Sequence, residues 1–126
     1  MSDKVAYNIG VEATMEVIGG KWKPIILCNL RDHAMRPSDL KRQIPGISQK
    51  MLTQQLRELE ADHIVNRTSY NEVPPRVEYS LDQYGQTLSI LLDEICRWGE
   101  MHVATLQSQG VPVSLRHDSS ATGLKI

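Results

Sequence analysis

Polar side chains able to hydrogen-bond to nucleic-acid bases recur along residues 48–57 of this 126-residue chain. Leu52, Leu56 and Leu59 follow a helical spacing, which assigns one face of the segment to a core. The side chains on the opposite face are Lys50, Thr53, Gln54 and Arg57. Arginine and lysine donate to guanine, and glutamine both donates to and accepts from adenine. This face therefore has the chemistry to read a DNA major groove, although an ordinary amphipathic helix also exposes polar residues.

The residues just before this face add groups that suit a phosphate. Ser48 can cap the unpaired N–H groups at a helix N-terminus, and Ser48 and Gln49 lie where those groups would meet an anion. Pro45 and Gly46 end the preceding short helical pattern, residues 38–44, and turn the chain sharply. Two short helices joined by such a turn predict a helix-turn-helix.

A hairpin pattern follows directly. Residues 64–70 and 76–81 are rich in branched and aromatic residues, which favours two strands, and the prolines between them stiffen an exposed tip. Arg67 and Arg76 on these strands could reach a DNA backbone or a minor groove, or they could pair with nearby acids of the hairpin. The hairpin predicts a wing, and its position after two short helices favours DNA reading over an ordinary surface helix.

Further helical patterns lie on both sides of this unit. A first helix should end at Gly19, and a second should begin near Trp22, bury Ile25, Ile26 and Leu30, and end near Asp32. A brief strand is predicted at residues 35–36, and a long final helix from about residue 82. The predicted fold is a mostly α winged helix-turn-helix over residues 1–107, with a small hairpin wing, terminal dimerisation helices, and a loose tail over residues 108–126.

The final helix predicts a homodimer. Its apolar residues, beginning at Tyr84, step alternately by four and by three, which is the period of a helix packing along a partner helix. Two copies related by a two-fold axis would read palindromic half-sites roughly 34–36 Å apart or a multiple of that distance. Packing within one chain is the alternative. The residues assigned to the dimer contact are Val11, Met15, Leu88, Leu91, Leu92, Ile95 and Trp98.

Charge and composition exclude several other classes. The net charge is only -1, but basic residues outnumber acidic ones by ten to seven over residues 21–80, where the proposed DNA-reading element lies. No apolar run is long enough for a membrane span, and residues 1–4 lack the apolar core of a signal peptide, so we expect a cytoplasmic protein. No metal-ligand spacing, cofactor motif or catalytic constellation occurs, so neither a cofactor nor an enzyme is predicted.

Three strings carry a family resemblance: residues 11–23, VEATMEVIGGKWK; residues 47–62, ISQKMLTQQLRELEAD; and residues 73–79, VPPRVEY. With residues 98–100 they make the chain from about 9 to 103 resemble the HxlR-type bacterial transcriptional regulators. The resemblance implies a dimeric winged helix-turn-helix with the fourth helix in the major groove, the hairpin as a wing and the terminal helices in the dimer.

Two positions depart from the family pattern. Members of this family often carry a cysteine just ahead of the first helix that senses electrophiles or oxidants, but residues 7–10 contain none. Cys96, beside the apolar stripe of the last helix, is the remaining candidate for a redox contact between subunits. The glycine usual after the reading helix is His63 here, which must adopt a left-handed conformation or shift the turn.

The leading hypothesis is a sequence-specific regulator, more often a repressor than an activator, that binds double-stranded DNA at a palindromic operator as a homodimer. The alternative is a winged-helix adaptor that binds another protein through residues 70–77 without DNA. A pocket for an unidentified small-molecule effector would be lined by Trp22, Tyr84 or Met15, which are equally well interpreted as core residues.

Overall fold

The computed structural model describes residues 6–116. The predicted mostly α fold with one hairpin is confirmed, and its two terminal helices are present. The described elements are α1 (Gly10–Ile18), α2 (Trp22–Asn29), α3 (Pro37–Gln43), α4 (Gln49–Ala61), β1 (Val65–Tyr70), β2 (Arg76–Leu81), a 3-10 helix (Gly85–Leu88) and α5 (Ser89–Ser108). The predicted tail falls partly outside the described residues, which end at Arg116. Contacts divide the chain into one unit up to Leu88 and a second from Ser89 onward.

The core of the first unit lies where α2, α3, α4 and the hairpin meet. Helix α4 packs against α2, α3 and β1, and α3 also contacts β2. Burying each large aliphatic side chain contributes about 1.5–3 kcal/mol, so this shared core fixes how α4 is presented. The prediction that the leucines of α4 face inward is confirmed. The side chains that are at most 2% exposed here include Ile26, Leu27, Leu30, Leu40, Leu52, Leu56, Leu59, Ile64 and Val65.

Helix α2 is shorter than predicted and buries a slightly different face. It ends at Asn29, because the Leu30 N–H donates to the carbonyls of both Ile26 and Leu27 and tightens the last turn. The Asn29 side chain also donates to the Ile25 carbonyl, one turn earlier, at 2.8 Å. Leu27 is fully buried, whereas Ile25, predicted to be core, is 37% exposed. The prediction that Ile25 is a core residue is therefore wrong.

The ends of α4 are both capped. At its start the Ser48 hydroxyl accepts the Met51 N–H at 3.0 Å, which is the predicted cap. At its end the Ile64 N–H donates to the Leu59 carbonyl at 2.9 Å and the His63 N–H to the Glu60 carbonyl at 3.0 Å. These are the paired bonds of a Schellman motif, and His63 takes the left-handed conformation at φ 62°. The turn has not shifted.

The hairpin is antiparallel, with Val65 opposite Leu81 and Tyr70 opposite Arg76. Successive residues of a strand point to opposite faces, so this register places Tyr70, Arg76 and Glu78 on the face away from Val65. The brief strand predicted at residues 35–36 is a single bridge, in which Met35 exchanges two backbone hydrogen bonds with Tyr79. The wing is thus joined to the segment that leads into α3.

The final helix begins seven residues later than predicted. Asp82 accepts the Tyr84 N–H through its carboxylate at 2.9 Å, and this local bond forms a turn instead of a first helical turn. A Cβ at Gly85 would lie 2.0 Å from the Ile64 carbonyl oxygen, so only glycine fits this close approach. Tyr84 therefore precedes the helix and is 62% exposed, and Leu88 lies in the 3-10 helix.

Candidate nucleic-acid interface

The polar face of α4 is open to solvent along its length. Lys50, Gln54 and Arg57 are exposed, while the three leucines of the helix are at most 1% exposed. Spacings of four and three residues keep the three polar side chains in one stripe about two turns long. Thr53 lies at the edge of the stripe and is half-buried. The structure thus brings together on one helix four of the residues predicted to contact bases.

The start of α4 offers a second group of polar atoms. Ser48 and Gln49 are both exposed at the helix N-terminus. The Ser48 oxygen accepts a backbone N–H, which leaves the hydroxyl hydrogen able to donate to a phosphate. The Gln49 amide nitrogen lies 3.3 Å from the Thr53 hydroxyl oxygen, so these two predicted site residues are joined along the helix.

Two residues outside the set predicted to contact bases, Glu58 and Lys23, also lie at this face. The Glu58 carboxylate accepts the Gln54 amide nitrogen at 3.3 Å, and the Lys23 ammonium lies 2.6 Å from the same carboxylate. The hydrogen bond from Lys23, followed by the one from Gln54, holds the pKa of Glu58 below its ordinary value. The i,i+4 spacing of Gln54 and Glu58 was a signal in the sequence, but Lys23 is distant along the chain and gave none.

The two wing arginines have different surroundings. Arg67 is exposed on β1. Arg76 donates to Glu72 and to Glu78, both at 2.9 Å, and its guanidinium carbon lies 3.9 Å from the centroid of the Tyr70 ring. The hydrogen bond to Glu72 raises the pKa of Arg76. Of the two alternatives that the sequence left open, the structure shows pairing for Arg76 and leaves Arg67 facing solvent.

Helix α3 adds cations that were counted in the local charge but assigned no role. Lys41 is exposed, and Arg36 is exposed just before the helix begins. Arg42 is exposed as well, and it pairs with Asp39 one turn earlier. Helix α3 packs against α4, so these cations lie on the element next to the candidate reading helix.

Apolar side chains are exposed on both terminal helices. Val11 and Met15 on α1 are 56% and 52% exposed, and Trp98 on α5 is 63% exposed and stacks on His102. Leu91 and Ile95 share the stripe of Trp98 on α5, at 39% and 41% exposure. Each terminal helix therefore exposes large apolar side chains along one side.

Two other residues assigned to the dimer or to redox chemistry lie off this stripe. Leu92 is fully buried within the single chain. Cys96 is half-buried. It lies two positions before Trp98, and a separation of two residues places the two side chains on roughly opposite sides of the helix. Neither residue is therefore part of the exposed stripe of α5.

The predicted effector pocket is only partly matched. Tyr84 lines a cavity of about 250 Å³ together with residues of α1 and of the 3-10 helix, including Thr14, Val17 and Leu88. Trp22 and Met15 are not among the residues that line this cavity. Across residues 6–116, no group of three or more His, Cys, Asp or Glu side chains is arranged to hold a metal ion, and no helix could cross a membrane.

Comparison with known proteins agrees with this architecture. The family model described as HxlR-like helix-turn-helix matches residues 17–107. The HTH-type transcriptional regulator YtcD of Bacillus subtilis (strain 168) is 60% identical over 101 residues, which are 80% of each chain. An HTH-type transcriptional regulator of Methanothermobacter thermautotrophicus is 46% identical over 104 residues, 82% of this chain and 79% of the relative.

Solved structures give the same answer. The crystal structure of ytcD is 57% identical and has a TM-score of 0.72 over 76% of this chain and 98% of its own. The redox regulator HypR in its oxidized form is 49% identical, with a TM-score of 0.72 over 74% of this chain and 96% of its own. The relatives from Bacillus subtilis and Methanothermobacter are named as transcriptional regulators and not as enzymes, as the sequence predicted. The chain belongs to the HxlR-like helix-turn-helix family of DNA-binding transcriptional regulators.

Proposed function

We propose that this regulator binds a palindromic operator as a homodimer, with α4 in the major groove, and represses transcription by occupying the promoter. The observation that carries the proposal is the open polar stripe of α4, with Lys50, Gln54 and Arg57 exposed above a leucine face that is fully buried. A helix held this firmly by its core can present three side chains to base edges at fixed spacing.

Each residue of the interface has a role that its chemistry supports. Lys50 and Arg57 would donate to guanine O6 and N7, and Gln54 would pair with adenine. Ser48, Gln49 and Thr53 would contact the phosphates and bases beside the start of α4, where unpaired N–H groups favour an anion. Arg67 would reach a backbone phosphate from the wing. We assign Arg76 to holding the wing, because Glu72 and Glu78 already occupy its guanidinium.

Dimerisation is supported by the apolar stripes of the terminal helices. Val11 and Met15 on α1, and Leu91, Ile95 and Trp98 on α5, expose apolar area that a second copy would remove from water. Leu88 is half-buried in the 3-10 helix, and we keep it as a predicted residue at the edge of the dimer contact. Leu92 is fully buried, so we do not include it in the dimer contact. Two copies of α4 would then meet half-sites roughly 34–36 Å apart on one side of the duplex.

The experiment is a selection of bound duplexes from a random pool, followed by affinity measurements on the selected sequence. We expect a palindromic consensus. Arg57→Ala should weaken binding by about 5- to 150-fold, which corresponds to the loss of one guanine contact. Lys50→Ala should also weaken it, whereas Arg97→Ala, which removes the same charge from α5, should leave affinity within about twofold of wild type.

Affinity measurements at several salt concentrations also distinguish DNA binding from the alternative function, in which the wing binds another protein. A DNA-binding dimer should lose affinity steeply as salt concentration rises, because released counterions favour association. A chain that selects no consensus, and whose affinity for duplexes is unchanged by both Lys50→Ala and Arg57→Ala, would exclude α4 from the role proposed for it.

A further inference from the structure

A chain of polar contacts leads from the first turn of α2 to a base-reading candidate on α4. The Lys23 ammonium lies 2.6 Å from Oε1 of Glu58, and the Gln54 amide nitrogen donates to Oε2 of the same carboxylate at 3.3 Å. Each carboxylate oxygen therefore has a different partner. We infer that Lys23 and Glu58 are positioning residues that fix the Gln54 amide in one orientation and thereby determine the base it prefers. This inference rests on the function proposed above.

The anchor of this chain is held firmly. The Lys23 side chain is only 13% exposed, and it belongs to a helix whose Ile26 and Leu27 are fully buried in the core shared with α4. A lysine in this position cannot move freely to a distant phosphate. Its ammonium instead contacts the Glu58 carboxylate, which also contacts the polar stripe of α4, and the Glu58 side chain is 45% exposed.

The chemistry of the carboxylate decides the orientation of the amide. Lys23 favours the ionised form of Glu58, and an ionised carboxylate only accepts hydrogen bonds. The Gln54 oxygen cannot donate, so the amide nitrogen must face Glu58 and the oxygen must face away. A glutamine without this neighbour could flip and exchange its donor and acceptor.

The fixed orientation has a consequence for sequence reading. An outward oxygen accepts from the N6 amino group of adenine, and the second N–H of the amide can donate to adenine N7. A flipped amide would present a donor where the oxygen stood, which suits guanine O6 or thymine O4 instead. Holding Gln54 in one orientation therefore favours adenine over the other bases at the position that it contacts.

The test begins with the palindrome selected by the wild-type protein. Gln54→Ala identifies the base pair whose preference Gln54 provides, and the affinity ratio between the preferred and the substituted duplex is then measured at that pair for each variant. A good bidentate contact gives a ratio of about 5 to 150 in the wild type. Because the measurement is a ratio, a smaller folded fraction in one variant cancels from it.

We expect Glu58→Ala to lower this ratio by about threefold or more, toward the value for Gln54→Ala, as the amide becomes free to flip. Lys23→Met should lower it in the same direction, and Lys23→Arg, which keeps the cation, should retain it. Glu60→Ala removes an exposed acid of the same helix and should leave the ratio unchanged. Preferences at base pairs read by other residues should also be unchanged in all four variants.

Two outcomes would overturn the inference without touching the proposed function. In the first, Gln54→Ala changes one base preference and Glu58→Ala leaves that preference intact. In the second, the protein binds its palindrome but Gln54→Ala changes no preference at all. Failure of the wild-type chain to select any palindrome would instead remove the proposed function and this inference together.

Discussion

The turn that ends α4 allows a direct test of how the structure relates to stability. His63 occupies the left-handed position of the Schellman motif at φ 62°, where most proteins place glycine. The hydrogen bonds of the motif come from backbone groups of His63 and Ile64, and the Ile64 side chain is 2% exposed. Replacing His63 by glycine would therefore keep the hydrogen bonds and the packing while removing the Cβ from a conformation that disfavours it.

The size of the effect follows from two opposing contributions. A residue with a Cβ in the left-handed region costs about 1–2 kcal/mol relative to glycine, and histidine tolerates it better than most. A glycine gives the unfolded chain more freedom, which costs about 0.5–1 kcal/mol. We expect His63→Gly to raise the free energy of unfolding by roughly 0.5–1 kcal/mol.

Urea denaturation followed by circular dichroism would measure this difference. Every variant is measured at the same protomer concentration, because the proposed dimer would add to the apparent stability. His63→Ala is the matched control, since it removes the imidazole but keeps the Cβ, and it should gain nothing. An equal gain in both variants would assign the effect to the imidazole and refute the backbone argument. A loss of stability in His63→Gly would refute it as well.

Two further predictions concern the wing and the dimer. Arg67→Ala should weaken DNA binding to all sequences and lower the slope of log affinity against log salt by about one. Arg76→Ala should leave the slope unchanged and lower the melting temperature, because Glu72 and Glu78 lose their hydrogen bonds to the guanidinium. If the slope instead falls in Arg76→Ala and is unchanged in Arg67→Ala, then Arg76 and not Arg67 contacts the phosphate. Trp98→Glu should shift the protein toward the monomer in sedimentation experiments. Ala104→Glu adds the same charge to α5 about 120° around the helix axis from Trp98, and it should not cause this shift. Equal sedimentation of wild type and Trp98→Glu would contradict the proposed dimer face.

The sequence determined the elements whose causes are local. The leucine spacing of α4, the Ser48 cap and the turn at Pro45 and Gly46 are all written within a few residues of where they act, and the structure has each of them. The hairpin could be predicted for the same reason, because its strands are neighbours in the chain and their composition favours extended structure. Likewise the exposed stripe of α4 follows from its periodicity once the leucines are assigned to the core.

Tertiary structure decided what depends on partners distant in sequence. Nothing in the sequence pairs Lys23 with Glu58, since only the packing of α2 on α4 brings them within 2.6 Å. The late start of α5 also depends on a distant partner, because the Asp82 N–H donates to the Ile64 carbonyl at 2.8 Å and Gly85 lies close against the same carbonyl. Periodicity gives each side chain a direction around its own helix. Whether that side chain is buried, as Leu92 is and Ile25 is not, depends on neighbours that only the folded chain supplies.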